Sequence, residues 1–198
     1  ENSFLGAHAG YLNSEGSFNT FVGNFAGITN VLGNFNTTLG FEADVSAASF
    51  NNATAIGYQA VANASNSVQI GNSNVTFIGG QVGWSTVSDR RLKRDIQANT
   101  LGLEFINSLQ TVNYEYLAEG QKGIRYSGFI AQDVKAVLDS MNIEFSGLVL
   151  PRSNSDYYSI RYSEFVVPLV RAVQEQDEKI NKLIDENRKL LDHILRLE

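Results

Sequence analysis

Ser88-Asp89-Arg90-Arg91-Leu92-Lys93-Arg94-Asp95-Ile96 separates two kinds of sequence, and so decides that two architectures must be read in one chain. Residues 1–80 contain no Lys or Arg and only four acids (Glu1, Glu15, Glu42 and Asp44), a net of −4. The remaining 118 residues hold all 15 basic residues and 17 acids, a net of −2. The first part is polar without being charged; the second has the mixed charge of an ordinary globular or helical sequence.

The stretch itself carries a hydroxyl and an amine. Ser88 and Lys93 could act as a pair in which a neutral lysine takes the proton from an attacking serine. Such a lysine must shed its charge, through burial or through neighbouring cations of the kind Arg90, Arg91 and Arg94 supply. Five residues along a helix rotate by about 500°, well out of phase, and in a strand i and i+5 face opposite sides. The pair therefore meets only across a turn, at a helix start, or between two chains. A plainer reading makes Ser88 or Asp89 the cap of a short helix with a solvated basic face. Nucleic-acid binding by the cluster is disfavoured by the overall charge of −6 and the shortness of the basic run. With His8 and His193 the only histidines and no cysteine, triads built on histidine or cysteine are poorly supplied.

The run resembles the opening of the C-terminal intramolecular chaperone domain of bacteriophage endosialidases, tail spikes and tail fibres, the self-cleaving peptidase family S74. That family's pattern is Ser-Asp-x-Arg-Leu-Lys, and its specified positions fall on Ser88, Asp89, Arg91, Leu92 and Lys93. Two later segments are also similar to the family: Gly128-Phe129-Ile130-Ala131-Gln132-Asp133-Val134, and the stretch from Tyr162 through Pro168-Leu169-Val170 to Gln174-Glu175-Gln176. The resemblance spans residues 88–198. It implies a Ser88/Lys93 catalytic dyad that cuts the peptide bond between Val87 and Ser88, with no cofactor and no metal.

Upstream, residues 81–87 with Gly83 read as a linker, where a scissile bond most cheaply takes an extended form. Before it lies a repeat. Aliphatic-Gly pairs stand at Leu5-Gly6, Val22-Gly23, Leu39-Gly40, Ile56-Gly57 and Ile70-Gly71, with glycine steps of 17, 17, 17 and 14. Alanine follows three residues after the first four glycines (Ala9, Ala26, Ala43, Ala60), and Asn2-Ser3, Asn19-Thr20, Asn36-Thr37 and Ala53-Thr54 precede them. A strict period with a short strand-like kernel predicts stacked β-coils, each burying its aliphatic residue only against the next coil. So thin a layer is steadier when like copies pack around an axis. The repeats resemble the trimeric β-roll heads of bacterial autotransporter adhesins and related phage fibre shafts. Phe4, Phe21, Phe25, Phe35 and Tyr58 read as packing residues rather than receptor contacts. The chain opens in mid-repeat, so upstream sequence, with room for a targeting signal, is expected.

Downstream, residues 92–109 suggest one or two short helices. Residues 111–116 alternate as a half-buried strand, Gly120 and Gly123 mark a turn, and residues 126–130 supply the partner strand. Residues 131–141 read as a helix with Val134, Val137 and Leu138 on one face. Residues 148–150 and 157–162 form a second hairpin, its tip holding Pro151 and Asn154. Gln132 and Asp133 could orient the dyad, although a polar helix start is the plainer role. From Val166 at heptad position a, the a/d residues run Val166, Leu169, Val173, Gln176, Ile180, Leu183, Asn187, Leu190, Ile194 and Leu197. That is a coiled-coil seam, widened at e by Ile184 and Leu191 toward three strands, with Asn187 restricting register. Its rival is a long helix folded back on its own domain; mixed charges disfavour a membrane-surface helix.

The expected fold class is thus a mainly β repeat shaft (1–80, a stacked trimeric β-roll or β-solenoid), a linker (81–87), a small α+β chaperone domain (88–163) and a coiled-coil helix (164–198). No run approaches the roughly 18 apolar residues that span a bilayer, so membrane insertion is not expected. The resemblance implies a homotrimeric phage fibre or spike in the virion, contacting a host cell-surface receptor or glycan, whose chaperone part is released in the host cytoplasm after cutting. A permanent, non-cleaving trimer clamp and a host-binding tip are the competing readings. A glycosidase is not, because the four acids of the repeat are dispersed.

Overall fold

The computed structural model describes residues 1–152 and 156–197, so Asn154 and Glu198 lie outside the described residues. The chain forms two compact units, Glu1–Gln81 with Glu115–Arg125, and Val82–Tyr114 with Tyr126–Glu198.

In the first unit, β1 (Ser3–Leu5), β2 (Thr20–Val22), β3 (Thr37–Leu39), β5 (Ala53–Ile56) and β7 (Ser67–Ile70) stack in sequence order as one parallel sheet, while β4 (Asp44–Val45) and β6 (Val61–Ala62) pair as a second. The register is the repeat itself: Ser3 lies against Thr20, Thr20 against Thr37, Thr37 against Thr54, and Ala53 against Ser67. The 17-residue spacing is therefore one turn of a β-solenoid, and the final 14-residue step is a shorter coil.

One expectation is corrected. The aliphatic residue of each Gly pair is not the one buried: Leu5, Leu39, Ile56 and Ile70 are exposed, while Phe21, Thr38 and Ala55 immediately before Val22, Leu39 and Ile56 are fully buried, as are Ala26, Ala43 and Ala60. Side chains alternate across a strand, so the aliphatic column faces out of the coil and the narrower column faces in. Gly6, Gly23 and Gly40 are forced by the next coil: Gly23 has φ +134, and a Cβ there would run into the Gly40 carbonyl.

The interior is polar as well as apolar. Asn19 and Asn36 are buried. The backbone N–H groups of Asn19, Asn36 and Ala53 donate to the side-chain oxygens of Asn2, Asn19 and Asn36 at 2.8, 2.9 and 2.8 Å. The same asparagines donate through Nδ2 to the carbonyls of Gly16, Gly33 and Phe50. Aromatic rings stack between coils, Phe4 on Phe21 at 4.9 Å and Phe18 on Phe35 at 5.3 Å. Phe21 is a packing residue in full and Phe25 is half-buried; Phe35 and Tyr58 stack on neighbouring rings yet remain exposed.

The second unit has a small α+β core. A 3-10 turn at Arg90–Leu92 is followed by α1 (Leu103–Ser108), then β8 (Val112–Tyr114) antiparallel to β9 (Tyr126–Gly128), α2 (Ala131–Met141), and β10 (Leu148–Val149) antiparallel to β11 (Ser159–Ile160). Residues 92–101 do not form the expected helical face: Leu92 and Ile96 are exposed, and only from Leu101 does the chain enter the core. There Phe105, Val134, Leu138 and Phe165 pack together, with Phe105 edge-on to Phe145 and Phe129 stacked on Phe165.

A second 3-10 turn, Tyr162–Phe165, leads into α3 (Val166–Ile194), 29 residues long. Its first turns are anchored through Pro168 and Ala172, which are buried. Its a/d residues are not, from Val173 through Ile180 and Leu183 to Ile194. The fold-back alternative thus applies only to the opposite face of the first turns, and the apolar stripe beyond them is exposed in the single chain. Among the described residues no helix is long and apolar enough to cross a membrane.

Candidate functional site

The two sequence-predicted side chains meet. Lys93 Nζ donates to Ser88 Oγ at 2.6 Å, although five residues separate them and neither a helix nor a strand would align them. The 3-10 turn between makes the connection. Asp89, in extended conformation, caps it by accepting the Arg91 N–H at 2.8 Å. The Leu92 and Lys93 N–H groups then donate to the carbonyls of Asp89 and Arg90 at 3.1 Å each. At Lys93 the backbone is extended again, and the long side chain reaches back over Ser88. The cap at Asp89 and the Ser88–Lys93 contact thus occur in one turn.

A second contact within the turn was not anticipated from the residues. Arg91 Nε donates to both oxygens of Asp89 at 3.1 and 3.2 Å, and Nη2 donates to Oδ2 at 2.7 Å. Hydrogen bonds from the Arg91 side chain and then its backbone N–H hold the Asp89 carboxyl below the usual carboxylate range, and Asp89 in turn raises the Arg91 guanidinium. The specified Asp and Arg of the motif were the available signal. Further along, Gln97 Nε2 donates to Asp95 Oδ1 at 2.9 Å, with Asp95 in left-handed backbone at φ +52.

Ser88, Lys93 and Val87 are all exposed, and residues 83–89 before the turn carry no helix or strand. The bond between Val87 and Ser88 therefore lies in an exposed segment without helix or strand, directly before the Ser88 hydroxyl. Chemically, a serine oxygen in hydrogen-bond contact with an amine can be activated once that amine is neutral. Gln132 and Asp133 stand at the exposed first turn of α2, where the Asp133 N–H closes on the Ile130 carbonyl. An open cleft of about 360 Å³ is lined by Asn99, Thr100, Phe145, Ser146, Glu164 and Pro168 among others; neither dyad residue contributes to it. Among the described residues no group of three or more acids and histidines is placed to hold a metal ion.

α1 begins at Gly102, which has no side chain to cap it. Glu175 of α3 supplies the cap, its Oε2 accepting the Leu103 N–H at 2.8 Å and its Oε1 accepting from Arg171 Nε at 2.9 Å. The Leu103 hydrogen bond holds the Glu175 carboxyl below its ordinary range, with Arg171 adding to it. A Cβ on Gly102 would collide with that carboxylate.

Residues 88–143 match the model of the Peptidase_S74 family, described as the chaperone of endosialidase. The match opens on Ser88 and runs through α1, the β8–β9 hairpin and α2. It supports an intramolecular chaperone role, in a family of self-cleaving peptidase domains. No curated protein matches the chain.

Proposed function

We propose that the C-terminal part of this chain is an intramolecular chaperone that trimerises and registers a phage fibre or spike, then releases itself by autoproteolysis between Val87 and Ser88. The observation that carries this reading is the 2.6 Å contact between Lys93 Nζ and Ser88 Oγ at the first residues of the chaperone match. Two surfaces agree with assembly first: the uncovered a/d seam of α3 and the outward aliphatic column of the solenoid. Both are apolar and both lack cover in one chain. A homotrimer would cover them, and zipping from the helix would spare a non-local parallel sheet the slow search for its register.

In the chemical step, Lys93 in its neutral form accepts the Ser88 Oγ proton as Oγ attacks the Val87 carbonyl carbon. Collapse breaks the C–N bond, the lysine returns its proton to the Ser88 nitrogen, and Val87 is left as an ester on Oγ. Water then hydrolyses the ester, giving a Val87 carboxylate and a new amino terminus at Ser88 with its hydroxyl restored. The event happens once per chain, with proximity supplied by covalent adjacency and no cofactor. Cutting makes assembly irreversible, leaving the shaft kinetically trapped in the virion, with host receptor or glycan contact made through the fibre and the chaperone fragment left in the host cytoplasm.

The openness of the site favours one other reading, a permanent and non-cleaving trimer clamp on a host-binding tip. Ser88 and Lys93 are both exposed in the single chain. Intact mass separates the two. The parent chain should give two fragments with a new terminus at Ser88, while Ser88→Ala and Lys93→Ala each give one uncut chain. A parent that trimerises and stays whole would establish the clamp.

A further inference from the structure

The dyad turn contains its own hazard. Asp89 follows the nucleophile directly, and a carboxylate beside an amine stabilises the ammonium form, which has no lone pair with which to take a proton. The motif nevertheless places an acid there. Lys93 makes its contact with Ser88, and the Asp89 carboxylate is engaged at both oxygens by Arg91.

We propose that Arg91 is a positioning residue of the self-cleavage site, holding Asp89 as the cap that folds Lys93 back onto Ser88 while keeping the Asp89 carboxylate from pairing with the Lys93 amine. This rests on the Ser88/Lys93 reading above and adds a division of labour within the motif. Arg90, Arg91, Leu92 and Lys93 are all exposed, and the charged groups of the turn's own segment are Asp89, Arg90, Arg91, Arg94 and Asp95. Gln97 engages Asp95. With Asp89 matched by Arg91, Arg90 and Arg94 are the charges of the segment for which no carboxylate contact is described.

The geometry suits an arginine at position 91. Its planar fork satisfies both carboxylate oxygens at once, which a lysine point charge cannot do. Asp89 meanwhile needs to be only a cap acceptor. Asparagine performs that task as well as aspartate and carries no charge to compete for Lys93. This separates the electrostatic role of Arg91 from a purely structural one.

The test uses the uncut full-length chain, isolated in denaturant and diluted into folding buffers from about pH 6 to about pH 10, with the fragments followed by intact mass. Arg91→Ala should move the midpoint of the rate–pH profile upward by about half a unit, lowering the neutral-pH rate about threefold, in line with an exposed ion pair. Asp89→Asn should move the midpoint downward, and the double variant Asp89→Asn/Arg91→Ala should recover the parent midpoint. Arg91→Lys should recover only part of the loss. If Arg91→Ala slows cutting equally at every pH, or the double variant fails to restore the midpoint, the shielding role is wrong. The Asp89→Asn shift has opposite sign and decides the matter even if the alanine variant folds poorly. Cutting that survives Ser88→Ala would overturn the serine–lysine reading itself; an inert Ser88→Ala with a midpoint unmoved by Arg91→Ala would overturn only the role given to Arg91.

Discussion

The backbone N–H of Asn36 donates to the side-chain oxygen of Asn19, one coil earlier, at 2.9 Å. Asn36 in turn accepts from the Ala53 N–H at 2.8 Å and donates through Nδ2 to Phe50 O and Asn30 Oδ1 at 2.6 and 2.8 Å. Asn36→Ala would therefore strand a donor and two acceptors in a buried place. At about 1–3 kcal/mol per unsatisfied buried group, the loss should be about 3 kcal/mol or more in urea unfolding. The exposed Asn24 serves as control, since its replacement should cost within about 0.5 kcal/mol. Equal costs at the two positions would remove the asparagine ladder from the account of the shaft.

Ala55 and Ile56 are chain neighbours on opposite faces of β5, one fully buried and the other 37 % exposed. Ala55→Leu forces a larger side chain into the coil interior and should cost about 1–3 kcal/mol by overpacking. Ile56→Ser should leave the single chain's stability within about 0.5 kcal/mol but weaken the proposed association, in which the exposed aliphatic column is covered by other copies. Chemical unfolding at low concentration and sedimentation at high concentration read the two effects separately. A large loss at Ile56 in the monomer would place the aliphatic column in the core after all.

This is where sequence and structure part. The repeat period was readable because register in a solenoid is the period itself, and Thr20 against Thr37 follows from counting. Which face turned inward was not readable from the same residues. A Leu-Gly or Ile-Gly kernel has the appearance of a core, and nothing in local chemistry says that Thr38 and Ala55 fill a space too thin for it. The buried asparagines were visible only as repeat markers; their hydrogen bonds run between coils and have no local signature. At the proposed cleavage site the motif gave Ser88 and Lys93 but left open how a five-residue gap would close; a 3-10 turn capped by Asp89 closes it. Residues 131–141 were readable to the residue because the apolar spacing of Val134 and Leu138 and the helix they form share one period.

Acid should act on the two units in opposite directions. Burial raises the Asp44 carboxyl, against hydrogen bonds from Thr29 and Val45 that lower it. A folded value above the unfolded 3.8 means a stability contribution present below that pH and lost as pH rises through the folded value. Glu175 is shifted the other way by the Leu103 N–H, so its contribution is present above the unfolded 4.5 and lost as pH falls through the folded value. Asp44→Asn should therefore gain on the parent as pH rises from about 3 to about 7, and Glu175→Gln should gain on it as pH falls across the same range. Hydrogen exchange reads the two units separately. Parallel slopes for both variants would contradict these assignments.

The long helix offers the last test. Pro168 and Ala172 fix its first turns to the core, whereas Val173, Ile180 and Leu183 are 63 %, 48 % and 57 % exposed. A helix displaying such a stripe to water is poorly supported by its own propensity, and covering each Ile or Leu recovers about 1.5–3 kcal/mol. Ile180→Ser/Leu183→Ser removes one a and one d position while leaving Phe165, Pro168, Ala172 and the Glu175 cap in place. Sedimentation should show the trimer proposed for the parent converted to monomer, and circular dichroism a loss of helix confined to the part beyond the anchored turns. Because cutting is placed after assembly, the appearance of the Ser88 terminus should slow at least about tenfold, the equivalent of about 1.4 kcal/mol on the barrier. A variant that remains trimeric would take the helix out of the assembly step, and one that becomes monomeric yet cuts at the parental rate would detach cleavage from assembly.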